Sequence, residues 1–147
     1  MHPEVSELER LRVEIEDHEG ALGMLYDFQA YMKPKGRYAE ETAARIAEHE
    51  AASAALREQL RQRLADLRRE TPQVVAFWVQ WHREQGQIIL EHLPKDRDHI
   101  HHASVARETL AAWEQVLAGN KEYVPIFHHL FPRYAEASAR LAGRAKT

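Results

Sequence analysis

Histidine is the residue type in this sequence with the clearest capacity for chemistry, because ten of its 147 residues are histidine and none is cysteine. Neutral imidazole binds Zn, Fe, Cu and Ni, and imidazoles that project inward from facing helices hold metals in helical bundles. Without thiolates, a metal here has to be bound by histidine nitrogen and carboxylate oxygen. Disulfide scaffolds, iron–sulfur clusters and cysteine nucleophiles are excluded.

Four of these histidines lie within stripes of apolar residues with 3-4 spacing, which is typical of the inner face of an amphipathic helix. Counting residues outward from each interhelix corner places the four at one depth, to within about one helical turn of 5 Å. Each comes from a different predicted helix, so they could form one layer across a bundle. The candidate metal ligands of this layer are His18, His49, His92 and His99.

A buried histidine can also be an ordinary core residue that forms hydrogen bonds to carboxylates or carbonyls. The sequence leaves open whether this layer binds a metal or belongs to the core. If it binds a metal, Fe or Zn is the expected cofactor. No two histidines stand four residues apart, and none has Glu three residues before it. The ligand motifs of hemerythrin-like, ferritin-like and DinB-like bundles are therefore missing, and no catalytic residue is predicted.

The elements that would position these histidines are five predicted helices separated by short corners rich in Pro and Gly. No stretch alternates apolar and polar residues long enough to predict a strand. The predicted helices run from Glu4 to Met32, Tyr38 to Glu70, Pro72 to Leu93, Asp96 or Asp98 to Ala118, and Lys121 to Ala142.

Because the predicted loops have only two to five residues, consecutive helices should run antiparallel. The expected fold is all-α: an antiparallel up-and-down bundle of four to five helices with a long N-terminal helical hairpin. A chain of 147 residues is long enough for one core, so a single domain over residues 1–147 is expected.

Three local features carry further expectations. Thr71 is a candidate cap for the third helix, with Pro72 at its first position. Pro132 is expected to kink the fifth helix, since its ring opposes a carbonyl one turn earlier. On the third helix, His82 is expected at the edge of the apolar stripe rather than at its centre.

The formal net charge of −3 and the pI near 6.4 argue against a dedicated nucleic-acid-binding protein. Basic residues dominate only from Arg57 to Arg69, where acidic residues interrupt them, so this run predicts a solvated helix face. No apolar run is long enough to span a bilayer, and the acidic N-terminus has no apolar signal core. A soluble cytoplasmic protein is therefore expected.

The first two helices are about 30 residues each and exceed the others by roughly 15 Å at 1.5 Å per residue. This overhang is expected to carry apolar surface that a monomer would leave in water. Either the hairpin docks onto a second copy, or the first helix breaks between Gly20 and Gly23 and folds back. The residues in question are Leu22, Leu25, Phe28, Tyr31, Met32, Tyr38 and Ile46.

Two classes of function follow. The first is a structural or interaction protein that forms a homodimer through its hairpin, with another helix or a small apolar ligand as further partners. The second is a metal-binding bundle with a redox or hydrolytic role. The aromatic residues of the last three helices, Trp78, Trp81 and Trp113 among them, are expected to form core, or alternatively to line a pocket for an apolar ligand.

Overall fold

A computed structural model describes residues 2–36, 40–93, 99–119 and 131–144. These residues form an all-α antiparallel bundle with a long N-terminal helical hairpin, as predicted. The five α-helices are α1 (Pro3–Met32), α2 (Glu40–Glu70), α3 (Pro72–His92), α4 (His99–Leu117) and α5 (Pro132–Leu141). None of them is both long enough and apolar enough to cross a membrane.

Helix α1 is continuous over 30 residues, so it does not break between Gly20 and Gly23. A short 3₁₀ turn, Lys33–Lys35, follows it and ends at Gly36, whose φ of 67° is a left-handed conformation that glycine adopts without strain. At 1.5 Å per residue, α1 is about 45 Å long and α3 about 32 Å, so the hairpin of α1 and α2 is the longest unit of the bundle.

The main core lies at the end of the bundle that contains the N-terminus of α1. The last residue of α1 that belongs to this core is Ile15, so the second half of the hairpin lies outside it. The fully buried side chains at its centre are large and come from all of the longer helices. They are Leu8, Ile15, Leu60, Leu64, Trp78, Val79 and Trp113.

Helix α3 is rotated relative to the prediction, which placed His92 within its inner stripe and His82 at the edge of that stripe. Its buried residues are Val74, Val75, Trp78, Val79, His82 and Gly86. Gly86 lies on this buried face, where a Cβ atom would lie 2.6 Å from Cδ2 of Leu110. The missing side chain lets α4 pack closely against this face of α3, and the face that carries His82 is turned inward.

The structure differs from two of the predictions at helix termini. Thr71 precedes α3 and Pro72 begins it, but the Thr71 hydroxyl makes no capping hydrogen bond and is buried without a partner among the described residues. Pro132 begins α5 instead of kinking a longer helix, because Phe131 has a non-helical backbone (φ −123°, ψ 84°). Pro is well suited to this first position, where its missing N–H is not needed.

Candidate functional site

The structure brings together two of the four predicted metal ligands. His18 on α1 and His49 on α2 face each other across the hairpin, with 2.8 Å between their Nδ1 atoms and 5.1 Å between their ring centroids. Both side chains are half-buried. A hydrogen bond of this length needs one Nδ1–H donor and one Nδ1 lone pair, so at least one of the two rings is neutral.

The other two predicted ligands are not seen to join this pair. His92 lies exposed in the last turn of α3, where its Nδ1 donates a hydrogen bond to the carbonyl of Ile88 in the same helix. His99 begins α4, and its side chain lies outside the described part of the structure. Within the described residues no three His, Asp or Glu side chains converge on one metal position, and the four-histidine layer stays a prediction.

Among the residues that the structure describes, the most extensive polar site lies elsewhere, inside the main core, and is centred on Glu9. The two carboxylate oxygens of this fully buried residue accept hydrogen bonds from four side chains on three helices. The donors are Arg12, Trp78, His82 and Ser138, at 2.6 to 3.2 Å. Arg12 is itself buried and also donates to Glu16 and to Ser138. These contacts tie α3 and α5 to α1.

His82 is wholly buried, so the prediction that it lies at the edge of its helix stripe is wrong. Its ring stacks on the indole of Trp113, with 4.2 Å between centroids and 8° between planes. Its tautomer follows from its partners. A carboxylate can only accept, so Nε2 of His82 carries the proton that it donates to Glu9 at 2.7 Å, and Nδ1 accepts from the hydroxyl of Tyr134 at 2.9 Å.

Burial and charge act in opposite directions on the ionisable groups of this network. Burial by itself raises the pKa of Glu9, but the charge of Arg12 and the contacts with His82 outweigh it and lower that pKa strongly. Burial lowers the pKa of His82 in spite of the attraction of Glu9, so the ring is neutral at pH 7. Burial also raises the pKa of Tyr134 well above its usual value.

A carboxylate, an imidazole and a hydroxyl in series is the order found in nucleophilic triads. Here the hydroxyl belongs to Tyr134, whose raised pKa keeps the proton on oxygen. A cavity of about 80 Å³ borders Tyr134, Ser138 and Arg12, but His82 and Glu9 are fully enclosed. The contacts of the network fix the relative positions of α1, α3 and α5.

The buried network predicts that the protein loses stability on acidification. His82 stays neutral in the folded protein, whereas in the unfolded chain it takes up a proton near pH 6.5. The unfolded state then binds more protons, so the free energy of unfolding falls as the pH falls below this value. Glu9 changes the free energy of unfolding in the same direction, because its pKa is lowered in the folded protein. Its stabilising contribution is lost as the pH falls below about 4.5.

Urea unfolding at a series of pH values checks this prediction. His82→Gln, which can still donate to Glu9 and accept from Tyr134, should lose the pH dependence between pH 7 and pH 5. The exposed His92 is the matched control, and His92→Gln should keep it. An unchanged pH dependence in His82→Gln would show that another group is responsible.

Sequence analysis missed this network, although one signal for it was present. Glu9, Arg12 and Glu16 are spaced three and four residues apart, with alternating charge, on one face of α1. Such a triplet is equally typical of a solvated helix surface. The residues on other helices that form hydrogen bonds with this triplet lie 69 to 129 positions away from it in sequence. They belong to helices whose rotation the sequence did not reveal.

The basic run of α2 is largely paired. Arg57 bonds Glu19 and Arg63 bonds Glu7 on α1, and Arg69 bonds Asp66 within its own helix. Arg68 donates to the carbonyl of Val116 at the end of α4. These pairings favour the interpretation of the run as a solvated helix face that also packs against its neighbours.

The outer half of the hairpin presents a different kind of surface. Leu22 and Ile46 are buried between the two helices, and Leu25 and Met32 are half-buried. Tyr38 lies outside the described residues. The opposite side of α1 is exposed and is called the hairpin face here. It consists of Gly20, Gly23, Met24, Asp27, Phe28, Ala30 and Tyr31.

Comparison with known proteins adds no assignment. The chain matches no protein-family model, and it has no significant similarity to a curated protein or to a solved structure. The class defined by the fold is an all-α antiparallel bundle, and its function has to be inferred from the surfaces and side chains described above.

Proposed function

We propose that this is an interaction protein that forms a homodimer through the hairpin face of α1. The observation that carries the proposal is the exposure of large apolar side chains on a continuous helix. Met24 is 76% exposed and Tyr31 is 63% exposed, with Phe28 beside them at 46%. Single exposed apolar residues are common, but a contiguous group of this kind marks an interaction site.

The composition of this part of α1 supports an interface with protein. The hairpin face contains two aromatic residues and one methionine but one charged residue, Asp27. Interface cores are enriched in aromatic residues and Met and depleted of charge. The neighbouring segment of α2, residues 40–52, differs sharply, because it carries four glutamates and one arginine. The hairpin therefore has one apolar side and one acidic side.

A second copy of the chain is the partner that fits this surface best. In a two-fold dimer the same patch occurs on both subunits, so an apolar face meets an equally apolar face. The acidic side of α2 would repel its counterpart, which directs the contact to α1. At Gly23 a Cβ atom would have no neighbour within 4 Å, so the α1 backbone is open there to a closely packed second helix.

The proposal predicts a dimer that a single charge on the hairpin face abolishes. Met24→Glu and Tyr31→Glu each place two carboxylates in a two-fold interface, one from each subunit. A loss of about 2 kcal/mol, typical of an interface hot spot, weakens association roughly 30-fold. Sedimentation velocity over a concentration series measures the change. Both positions are exposed, so the variants should fold with the wild-type helix content.

The matched control places the same charge on the other side of the hairpin. Ala51 is exposed on α2, and Ala51→Glu should leave the dimer intact. A wild-type protein that sediments as a monomer at micromolar concentrations would overturn the proposal. So would a dimer that persists in both hairpin-face variants.

A further inference from the structure

The pair His18–His49 remains without a role in the dimer proposed above and in the buried network around Glu9. Of the described histidine pairs, His101 and His102 are also in ring contact, but they are adjacent in one helix and their centroids are 5.8 Å apart. His18 and His49 belong to two helices, and their Nδ1 atoms point at each other at 2.8 Å. Two imidazole nitrogens from neighbouring helices are therefore held close enough to bind one metal ion once the proton between them has moved.

We propose that His18 and His49 form a two-histidine binding site for a divalent transition metal ion such as Zn²⁺, bound by both Nδ1 atoms. Imidazole is a preferred ligand of Zn²⁺, Cu²⁺ and Ni²⁺. Hard cations such as Mg²⁺ select oxygen ligands and are not expected to bind here. This site is independent of the hairpin face, because both histidines lie between α1 and α2 and are half-buried there.

The pair needs a change in ring orientation, but not in helix separation, to bind zinc. With Zn–N bonds of about 2.1 Å at the tetrahedral angle, two imidazole rings have Nδ1 atoms about 3.4 Å apart and centroids about 5.2 Å apart. The observed centroid separation of 5.1 Å is the one that a direct, linear Nδ1–H···Nδ1 hydrogen bond produces. To bind the ion the rings have to pivot, which lengthens the Nδ1–Nδ1 distance from 2.8 Å while the two helices keep their separation.

Proton transfer at this site is simple. In the hydrogen-bonded pair one ring holds its proton on Nδ1, and metal binding needs the lone pair of that nitrogen. The proton moves to Nε2 of the same ring through solvent, so two neutral rings bind the ion without net release of a proton.

The remaining coordination positions belong to water. Within the described residues no third His, Asp or Glu joins the pair. Glu19, which follows His18 in the sequence, is held by Ser53 at 2.6 Å and by Arg57 at 3.1 Å. A site with two protein ligands and open positions exchanges its ion readily. Its structural effect is to clamp α1 to α2 in the part of the hairpin that lies beyond the main core.

Zinc titration of untagged protein by calorimetry tests the proposal, with Mg²⁺ as the control ion. We expect one Zn²⁺ per chain and a higher melting temperature with Zn²⁺, since an ion that binds only the folded state stabilises it. His18→Gln and His49→Gln should each weaken binding roughly tenfold or more. His92→Gln and His101→Gln, which change exposed histidines, should not.

A second measurement does not depend on the variants. In the wild-type protein, ¹⁵N imidazole shifts should show Zn²⁺ on the Nδ1 atoms of His18 and His49 and a proton on both Nε2 atoms. Zn²⁺ binding that is undiminished in both glutamine variants, or that appears on other histidines, would overturn the proposal. Met24→Glu should still bind one Zn²⁺ per chain, so failure of the dimer and failure of the metal site are separate results.

Discussion

Replacing Glu9 with glutamine is expected to lower the free energy of unfolding by about 3–5 kcal/mol, the range found when one partner of a buried ion pair is removed. Glu9 is fully buried, and every group around its carboxylate is a donor. The amide –NH₂ of glutamine would face donors where the carboxylate accepts. Arg12 would keep its charge in the core with Glu16 as its remaining carboxylate contact from α1.

Urea unfolding followed by far-UV circular dichroism measures this loss. Glu14 lies exposed on the same helix, and Glu14→Gln should change stability by less than about 0.5 kcal/mol. A double-mutant cycle identifies the cause. If Glu9 acts through Arg12, Glu9→Gln combined with Arg12→Met should be less destabilising than the sum of the two, by about 0.5–3 kcal/mol. Additive effects would show that the ion pair contributes nothing beyond packing.

Replacing Trp113 with alanine is expected to cost a similar amount, about 3–5 kcal/mol, because it removes a fully buried indole and leaves a cavity. The indole lies edge-on against Trp78 at 5.1 Å between centroids and stacks on His82 at 4.2 Å. Its loss therefore affects the apolar core and the polar network together. Helix α4 has no charged contact with that network among the described residues, so it supports the network through the contacts of Trp113 with His82 and Trp78.

Two further variants separate the contributions of Trp113. Leu117 lies on the same helix at 39% exposure, and Leu117→Ala should cost less than about 1 kcal/mol. Trp113→Phe keeps an aromatic ring against His82 and should cost less than Trp113→Ala. If the phenylalanine and alanine variants were equally unstable, the stack on His82 would not be what stabilises this region.

Much of the fold was predictable because helices are determined locally. Pro72, Gly36 and Gly119 mark helix boundaries through the fixed φ of proline and the positive φ that glycine tolerates, and the structure has them at those boundaries. The continuous course of α1 through Gly20 and Gly23 was left open by the sequence. In the structure Leu22, which lies between these two glycines, is buried in the hairpin.

The candidate sites were predictable only in part. His18 and His49 were placed at similar depth by counting from one short corner, and neighbouring helices joined by such a corner are constrained to lie side by side. The same counting predicted the depth of His92 in the bundle. Whether its side chain faces inward also depends on how α3 is rotated about its own axis, which the sequence did not reveal. The structure turns the face of His82 and Gly86 inward and leaves His92 exposed.

The sequence by itself determined that this protein is all-α, where most of its helices begin and end, and that a long hairpin leads the chain. These follow from backbone propensity and from apolar spacing, which are local. The tertiary structure decided which side of each helix is buried. That choice depends on side chains far apart in sequence, such as Glu9 with His82 and Ser138, and Gly86 with Leu110. A rotation of 100°, one residue on a helix, exchanges a core histidine for a surface one.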